Sequence, residues 1–197
     1  MTVACVDAKA RFDEYDQRVP KVDADTTDAP MVDTLPNIDG VWLLAVDPKP
    51  IAAGAFIQMA VTWDITSAGP SGTLDGSYQP LMTFGLAPDS PSRTSVGVPL
   101  VANSVPVDST ASFTATLTGT LPGPANSVSG TEYQVAINLI GTIRSTTLVC
   151  GTVTGSVGPI ADVSGSTFAA VPTGSPLPAP VGECPPATAV DAGVDAP

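Results

Sequence analysis

The chemistry open to this chain is bounded first by what it lacks. Its 197 residues contain no histidine, which excludes histidine-based triads, imidazole proton relays and imidazole metal sites. Three cysteines are present: Cys5, Cys150 and Cys184. None lies in a C-x-x-C pair, so a zinc site has no ligand set. Asp23, Asp25, Asp28 and Asp33 are spaced in a way that suggests calcium. The central glycine and terminal bidentate glutamate of an EF-hand loop are missing, however. No G-x-S-x-G elbow presents a serine nucleophile, and no G-x-G-x-x-G or P-loop would cradle a phosphate. Four carboxylates fall on expected strands: Asp64, Asp75, Glu132 and Asp162. A glycosidase needs two carboxylates several ångströms apart in a cleft. Asp64 and Asp75 flank an expected turn and should come close. All four nevertheless sit at or near strand ends, where exposed polar residues belong. We therefore expect a non-enzymatic protein with no catalytic residue, no metal and no cofactor.

The charge excludes further classes. Net charge is −12, from 19 acidic and 7 basic residues. Nucleic-acid binding needs clustered Lys and Arg to displace counterions from phosphate, and these bases are scattered. Direct adsorption to anionic lipid headgroups fails for the same reason. Acidity of this kind keeps a chain soluble by mutual repulsion. It is also uneven. Residues 1–37 hold eight acids and four bases, whereas residues 38–172 hold eight acids and three bases over a far longer stretch.

Strands must supply the framework. Hydrophobic residues make up 43% of the chain and aromatics only 5%, so a core would be mostly Val, Leu, Ile and Ala. From Ile38 to Val171 the apolar residues alternate. In the segment from Ala55 to Thr66, Ile57, Met59, Val61, Trp63 and Ile65 share one face, and Gln58, Ala60, Thr62 and Asp64 the other. Phe113, Ala115, Leu117, Gly119 and Leu121 alternate with Thr114, Thr116, Thr118 and Thr120. Threonine suits the wet face of a sheet. Tyr133, Val135, Ile137, Leu139, Gly141 and Ile143 form a further inward face, as do Val149, Gly151, Val153, Gly155 and Val157. Glycines on inward faces mark strong bends or bulges, which a closed barrel requires. The fold class is all-β: a single antiparallel barrel of about eight strands, with a β-sandwich as the alternative. Pro99 and Pro106 confine the two short strands expected over residues 96–100 and 104–107 to an edge or to irregular pairing.

Four regions follow. Residues 1–20 combine the start with a short amphipathic helix, in which Ala8, Phe12, Tyr15 and Val19 share a face and Pro20 ends the turn. Residues 21–37 form an acidic linker, residues 38–184 the barrel domain, and residues 185–197 a disordered Pro/Ala-rich tail. No run of about 18 apolar residues is present, so no membrane-crossing helix is expected. We pair Cys150 with Cys184 and leave Cys5 as the odd cysteine; the competing reading is three thiols in a reducing cytosol. Cys150 falls on the face opposite its strand's apolar residues. The bridge should therefore run along the outer wall, fastening the C-terminal segment there. A loop of this length contributes roughly 3–4 kcal/mol in the chain-entropy model.

Three stretches resemble known patterns. Thr2-Val3-Ala4-Cys5 resembles the end of a bacterial lipobox, which implies lipidation of Cys5. No basic or apolar leader precedes it; a chain trimmed just before the lipobox would show this start. The acidic Ala/Pro/Gly tail is similar to those of exported myxobacterial-type proteins. Gly40-Val41-Trp42 resembles the Gly-x-Trp that opens lipocalins. That resemblance implies an eight-stranded barrel with Trp42 as a structural plug at the closed end and an apolar ligand at the open end. The family's later Thr-Asp-Tyr is missing, and Arg144 is poorly placed for the arginine that packs over the tryptophan. On this reading Met59, Trp63, Tyr133, Ile137 and Leu139 would line the ligand site, or equally fill the barrel solidly.

These features point to a cell-envelope or extracellular lipoprotein, anchored at the outer membrane through Cys5. Its barrel would hold a small apolar ligand. The alternative is a structural or adhesive β-module that contacts envelope proteins. The partner would be an apolar ligand or an envelope protein, with no nucleic acid, and with membrane contact only through the lipid.

Overall fold

The computed structural model describes residues 34–158 and 161–186. The expected N-terminal helix, Cys5, most of the acidic linker and the tail beyond residue 186 lie outside the described residues. The elements are β1 (Gly40–Asp47), a helical turn α1 (Lys49–Ala52), β2 (Ile57–Ala68), β3 (Ser71–Pro80), β4 (Leu100–Val107), β5 (Ser112–Leu121), a 3₁₀ turn (Gly123–Ala125), β6 (Tyr133–Ser145), β7 (Leu148–Val157), β8 (Ala161–Asp162) and β9 (Ser166–Pro172). The strands run in the order β6-β5-β4-β3-β2-β1-β9-β7, and β6 pairs with β7 to close the ring. All pairings are antiparallel. This is an eight-stranded up-and-down barrel, with β8 a two-residue addition to β7.

The alternation of residue types builds it. Ile57, Met59, Val61, Trp63 and Ile65 of β2 are buried, while Thr62, Asp64 and Thr66 are exposed. Phe113, Ala115 and Leu117 of β5 turn inward and Thr114, Thr116 and Thr118 outward. Closure demands glycine at crowded points. A Cβ on Gly151 would stand 2.0 Å from the Ile140 carbonyl oxygen, and one on Gly141 would press into the rings of Phe113 and Phe168. These inward glycines favoured a barrel over a sandwich in the sequence, and the closed ring is what forms.

Local chemistry shifts several expected boundaries. Of the two short strands expected over residues 96–100 and 104–107, the first does not form before Leu100, and the second extends back to Leu100 as β4. Its irregularity is absorbed at Ser104, which takes φ of 53° and donates its N–H to Asp75 Oδ1 at 2.6 Å. Opposite it, the register with β3 slips between Leu74 and Gly76. Residues 162–171, which alternate as far as Val171, do not form one strand: they break at a turn where Ser166 N–H reaches the Val163 carbonyl and Asp162 accepts from Ser164 N–H. The helical turn α1 was not foreseen; prolines at residues 48 and 50 suit its first turn.

One end of the barrel is closed. Trp42 is buried there and donates its indole N–H to the Ile38 carbonyl at 2.8 Å. Leu35 and Ile38 tuck beneath it, so the core takes in a residue that the sequence suggested was linker. The other end, the mouth, is rimmed by the β1–β2, β3–β4, β5–β6 and β7–β8–β9 connections. After β9, residues 173–186 run back along the outer wall as a strap.

Candidate functional site

The residues expected to line a ligand chamber all belong to the barrel, but they do not surround an open space. Trp63 and Leu139 are packed in its centre. Trp63 stands 5.4 Å from Trp42, tilted by 50°, and meets Tyr78 edge-on at 6.4 Å. Its indole N–H donates to the Tyr78 hydroxyl at 3.2 Å. Burial pushes the Tyr78 phenol up to about 12, with the Trp63 hydrogen bond opposing the shift. This aromatic column fills the half of the barrel nearer the closed end.

Met59 and Ile137 lie nearer the mouth. With Val46, Leu100, Leu121, Val135 and Val153 they border a void of about 20 Å³, room for a single water. Small-molecule sites generally measure about 300–1,000 Å³. Ser166 sits on the inward face of β9, opposite Val153 in the register. Its hydroxyl is buried without a hydrogen-bond partner. Tyr133 is not interior. It stands at the rim, its ring against Gly158.

Outside that void, and sharing Pro48, Ile57, Val157 and Val163 with it, is a cleft of about 140 Å³. Ile51, Val128 and Tyr133 complete its apolar wall, with Asn126 and Ser129 as its polar members. Asn126 is already engaged, donating to Ser129 Oγ and the Thr131 carbonyl at 2.8 Å each. Three larger grooves, of about 400–460 Å³, mix polar with apolar atoms, and one of them runs beside the mouth between residues 97–100 and 118–122.

The outer wall holds a second construction. Leu43, Ala45, Cys150 and Ala169 face outward, yet each is buried, because the strap and the β3–β4 loop cover them. Cys150 and Cys184 form a disulfide with Cα atoms 5.3 Å apart. It joins an outward strand position to the strap, as the alternation in β7 indicated. Arg93 is the second fastening. It donates to the Gln58 Oε1 atom at 2.6 Å, to the Ser90 carbonyl at 2.7 Å, and to the Leu177 and Pro178 carbonyls at 3.1 and 3.0 Å. Gln58 in turn donates to the Pro88 carbonyl at 2.9 Å. Burial lowers the Arg93 pKa, but an arginine stays charged in proteins. Four carbonyl-type oxygens compensate that charge. Thr167 Oγ1 donates to the Gly182 carbonyl at 2.7 Å, and Lys49 pairs with Glu183.

Sequence reasoning missed the Arg93–Gln58 clamp. The available signal was modest: Arg93 is one of three bases in residues 38–172, set in a proline-rich loop.

The four strand carboxylates do not converge. Asp64 and Asp75 are direct register partners, as their flanking of a turn suggested. Both are exposed, and Asp75 is engaged by Ser104. Glu132 and Asp162 lie at the mouth, also exposed. Among the described residues, no group of three or more acidic or cysteine side chains could hold a metal, and no helix is long and apolar enough to cross a membrane. Arg144 is exposed on the outward face of β6. No family model, curated protein or solved structure matches this chain.

Proposed function

We propose that this protein is a non-enzymatic component of the cell envelope, held to the membrane by an acyl group on Cys5. Its barrel then acts as a rigid module making protein contacts through its outer surface and mouth loops. One observation carries this reading: the interior is occupied by its own side chains, with a void of only about 20 Å³. What such a barrel offers to another molecule is its exterior. The Cys150–Cys184 bridge agrees with an oxidising compartment, because disulfides persist outside the reducing cytosol.

A lipocalin-like carrier is the second reading. The up-and-down order of eight strands and the position of Trp42 at the closed end favour it. A ligand of ordinary size would then have to displace packed side chains at the mouth.

Native mass spectrometry of the protein purified from its source organism tests both. The contact module predicts a chain acylated on Cys5 with no small molecule bound. A co-purifying apolar ligand would replace it with the carrier. A cytosolic chain with unmodified Cys5 would overturn the location.

A further inference from the structure

We propose that the outer wall under the strap is a recognition site for a proline-rich extended segment, with the strap as its built-in occupant. Opening the Cys150–Cys184 bridge makes the site available to such a segment from an envelope partner. This rests on the contact-module reading and names where the contact is made and by what.

The strap sits on the barrel as a bound peptide does. Among the described residues, no backbone–backbone hydrogen bond joins residues 174–186 to the barrel. Within that stretch only Gly182 is buried. The wall supplies the donors instead. Arg93 donates to the Leu177 and Pro178 carbonyls, and Thr167 to the Gly182 carbonyl. Proline has no N–H, so a proline-rich chain offers mainly carbonyls, and a guanidinium and a hydroxyl are the matching groups. Beneath the strap, Ala45, Ala169 and Cys150 are successive partners across β1, β9 and β7. With Leu43 they make a floor that faces outward and is buried.

These contacts specify the ligand. Pro176, Pro178 and Pro180 alternate with other residues, which favours an extended chain that loses little entropy on docking. Position 182 must be glycine, because a Cβ there would stand 2.3 Å from the Phe56 ring and 2.9 Å from the Asp47 Cβ. Glu183 pairs with Lys49, so the next residue is acidic. The site therefore reads alternating prolines followed by glycine and an acid.

The bridge decides which chain occupies the site. Closed, it holds the strap at high effective concentration. Cys150 is buried and Cys184 is half-buried, so the Cys184 sulfur is the one a dithiol reaches. A thiolate of the dithiol attacks it, and Cys150 leaves as a thiolate and takes up a proton. The second thiol of the dithiol then displaces Cys184. The dithiol ends as a disulfide and both cysteines as thiols. The strap then competes with any segment of its own kind.

The test uses the full chain carrying Gly182→Leu and Cys184→Ser, whose strap no longer seats. Its probe is a labelled, capped peptide of residues 174–184 with Cys184→Ser. The peptide should bind this chain saturably, while near-ultraviolet dichroism of the buried tryptophans stays native. A peptide that also carries Gly182→Leu should bind at least about tenfold more weakly. Adding Arg93→Met to the chain should cost the native-sequence peptide about as much, through lost charged hydrogen bonds. The oxidised native chain should bind neither peptide. A second measurement needs no variant. Native chain is opened with dithiothreitol, mixed with excess peptide retaining Cys184, and reoxidised. Peptide should be found on Cys150, about tenfold more than a scrambled peptide of the same composition.

Equal capture of the scrambled peptide, or equal binding of the Gly182→Leu peptide, would overturn the proposal. So would binding of neither peptide to the opened site. If ¹⁵N-labelled and unlabelled native chains bridge to one another on reoxidation, the occupant is a second copy and the partner segment is ruled out. Each of these failures leaves the contact module standing where native material carries no small molecule. A small molecule bound in native material overturns the contact module, and the peptide measurements then report on the site alone.

Discussion

Tyr78 shows how a single residue carries the consequences of a filled barrel. Its hydroxyl accepts from Trp63 and is fully buried, so ionising it would place a charge in the core. Its pKa is pushed up to about 12 from the ordinary 10.0. The folded state thus keeps a proton that the unfolded state gives up. Its stabilising contribution is complete below pH 10 and is lost as pH rises toward 12, amounting to about 3 kcal/mol. Urea unfolding between pH 9 and pH 12 should show that decline. Tyr78→Phe should remove this component of the slope. It should also cost about 1–3 kcal/mol at pH 7, because the Trp63 N–H is left buried without an acceptor. If the slope is unchanged in Tyr78→Phe, the alkaline loss belongs to another group. That Tyr78 would face inward was legible from the alternation of β3. That it would meet Trp63 was not, because the contact depends on the register between two strands.

Among the elements, the strap and the β4–β5 seam differ most from the rest of the barrel. The strap's disulfide was legible, since two cysteines and a strand period are enough to place Cys150 outside. The Arg93 clamp was not. A lone base in a loop has no periodicity, and its meaning comes from carbonyls some 85 residues away. Reducing the bridge should lower the unfolding free energy by about 3–4 kcal/mol, the chain-entropy value for a separation of 34 residues. Urea melts with and without reductant measure this. Arg93→Met in the reduced protein should then free residues 174–183, seen as fast amide exchange there and as binding of a hydrophobic dye to the uncovered Leu43 and Ala169. Retained protection would show that the strap is held by its other contacts.

The seam is a different weakness. β5 and β6 share ten register pairs, as do β2 and β3. β4 and β5 share one, Val107 with Phe113. The physical cause lies within β4. Pro106 donates no N–H, and the turn at Ser104 aims its N–H at Asp75 on the β3 side. Amides along this seam should exchange faster than those of β6 and β7, by hydrogen-exchange mass spectrometry. Uniform protection around the ring would mean that the seam zips in solution. Pro99 and Pro106 did signal irregular pairing from the sequence, although they did not show which neighbour would be lost.

At the scale of the whole molecule, the question is whether the barrel is a solid or a vessel. The same sequence pattern serves either, because an inward apolar face looks alike whether it meets another side chain or a ligand. The alternation, the glycines and the count of strands therefore made the closed barrel legible and left its contents undetermined. In the structure the contents are Trp42, Trp63, Tyr78, Phe168 and the aliphatic residues packed around them, and this leads to a measurable difference. In a solid barrel Leu139, which is fully buried, is surrounded by protein, and Leu139→Ala should cost about 2–5 kcal/mol through lost transfer energy and an unfilled hole. The hole would be apolar and dry, so benzene should bind there and raise the melting temperature of the variant, leaving the parent protein unaffected. In a vessel already open to solvent, the same leucine would line a wet wall. Its truncation would then cost roughly 1–2 kcal/mol, and benzene would stabilise parent and variant alike. Thermal unfolding of both proteins with and without benzene separates the two cases, and the solid barrel requires that only the variant respond.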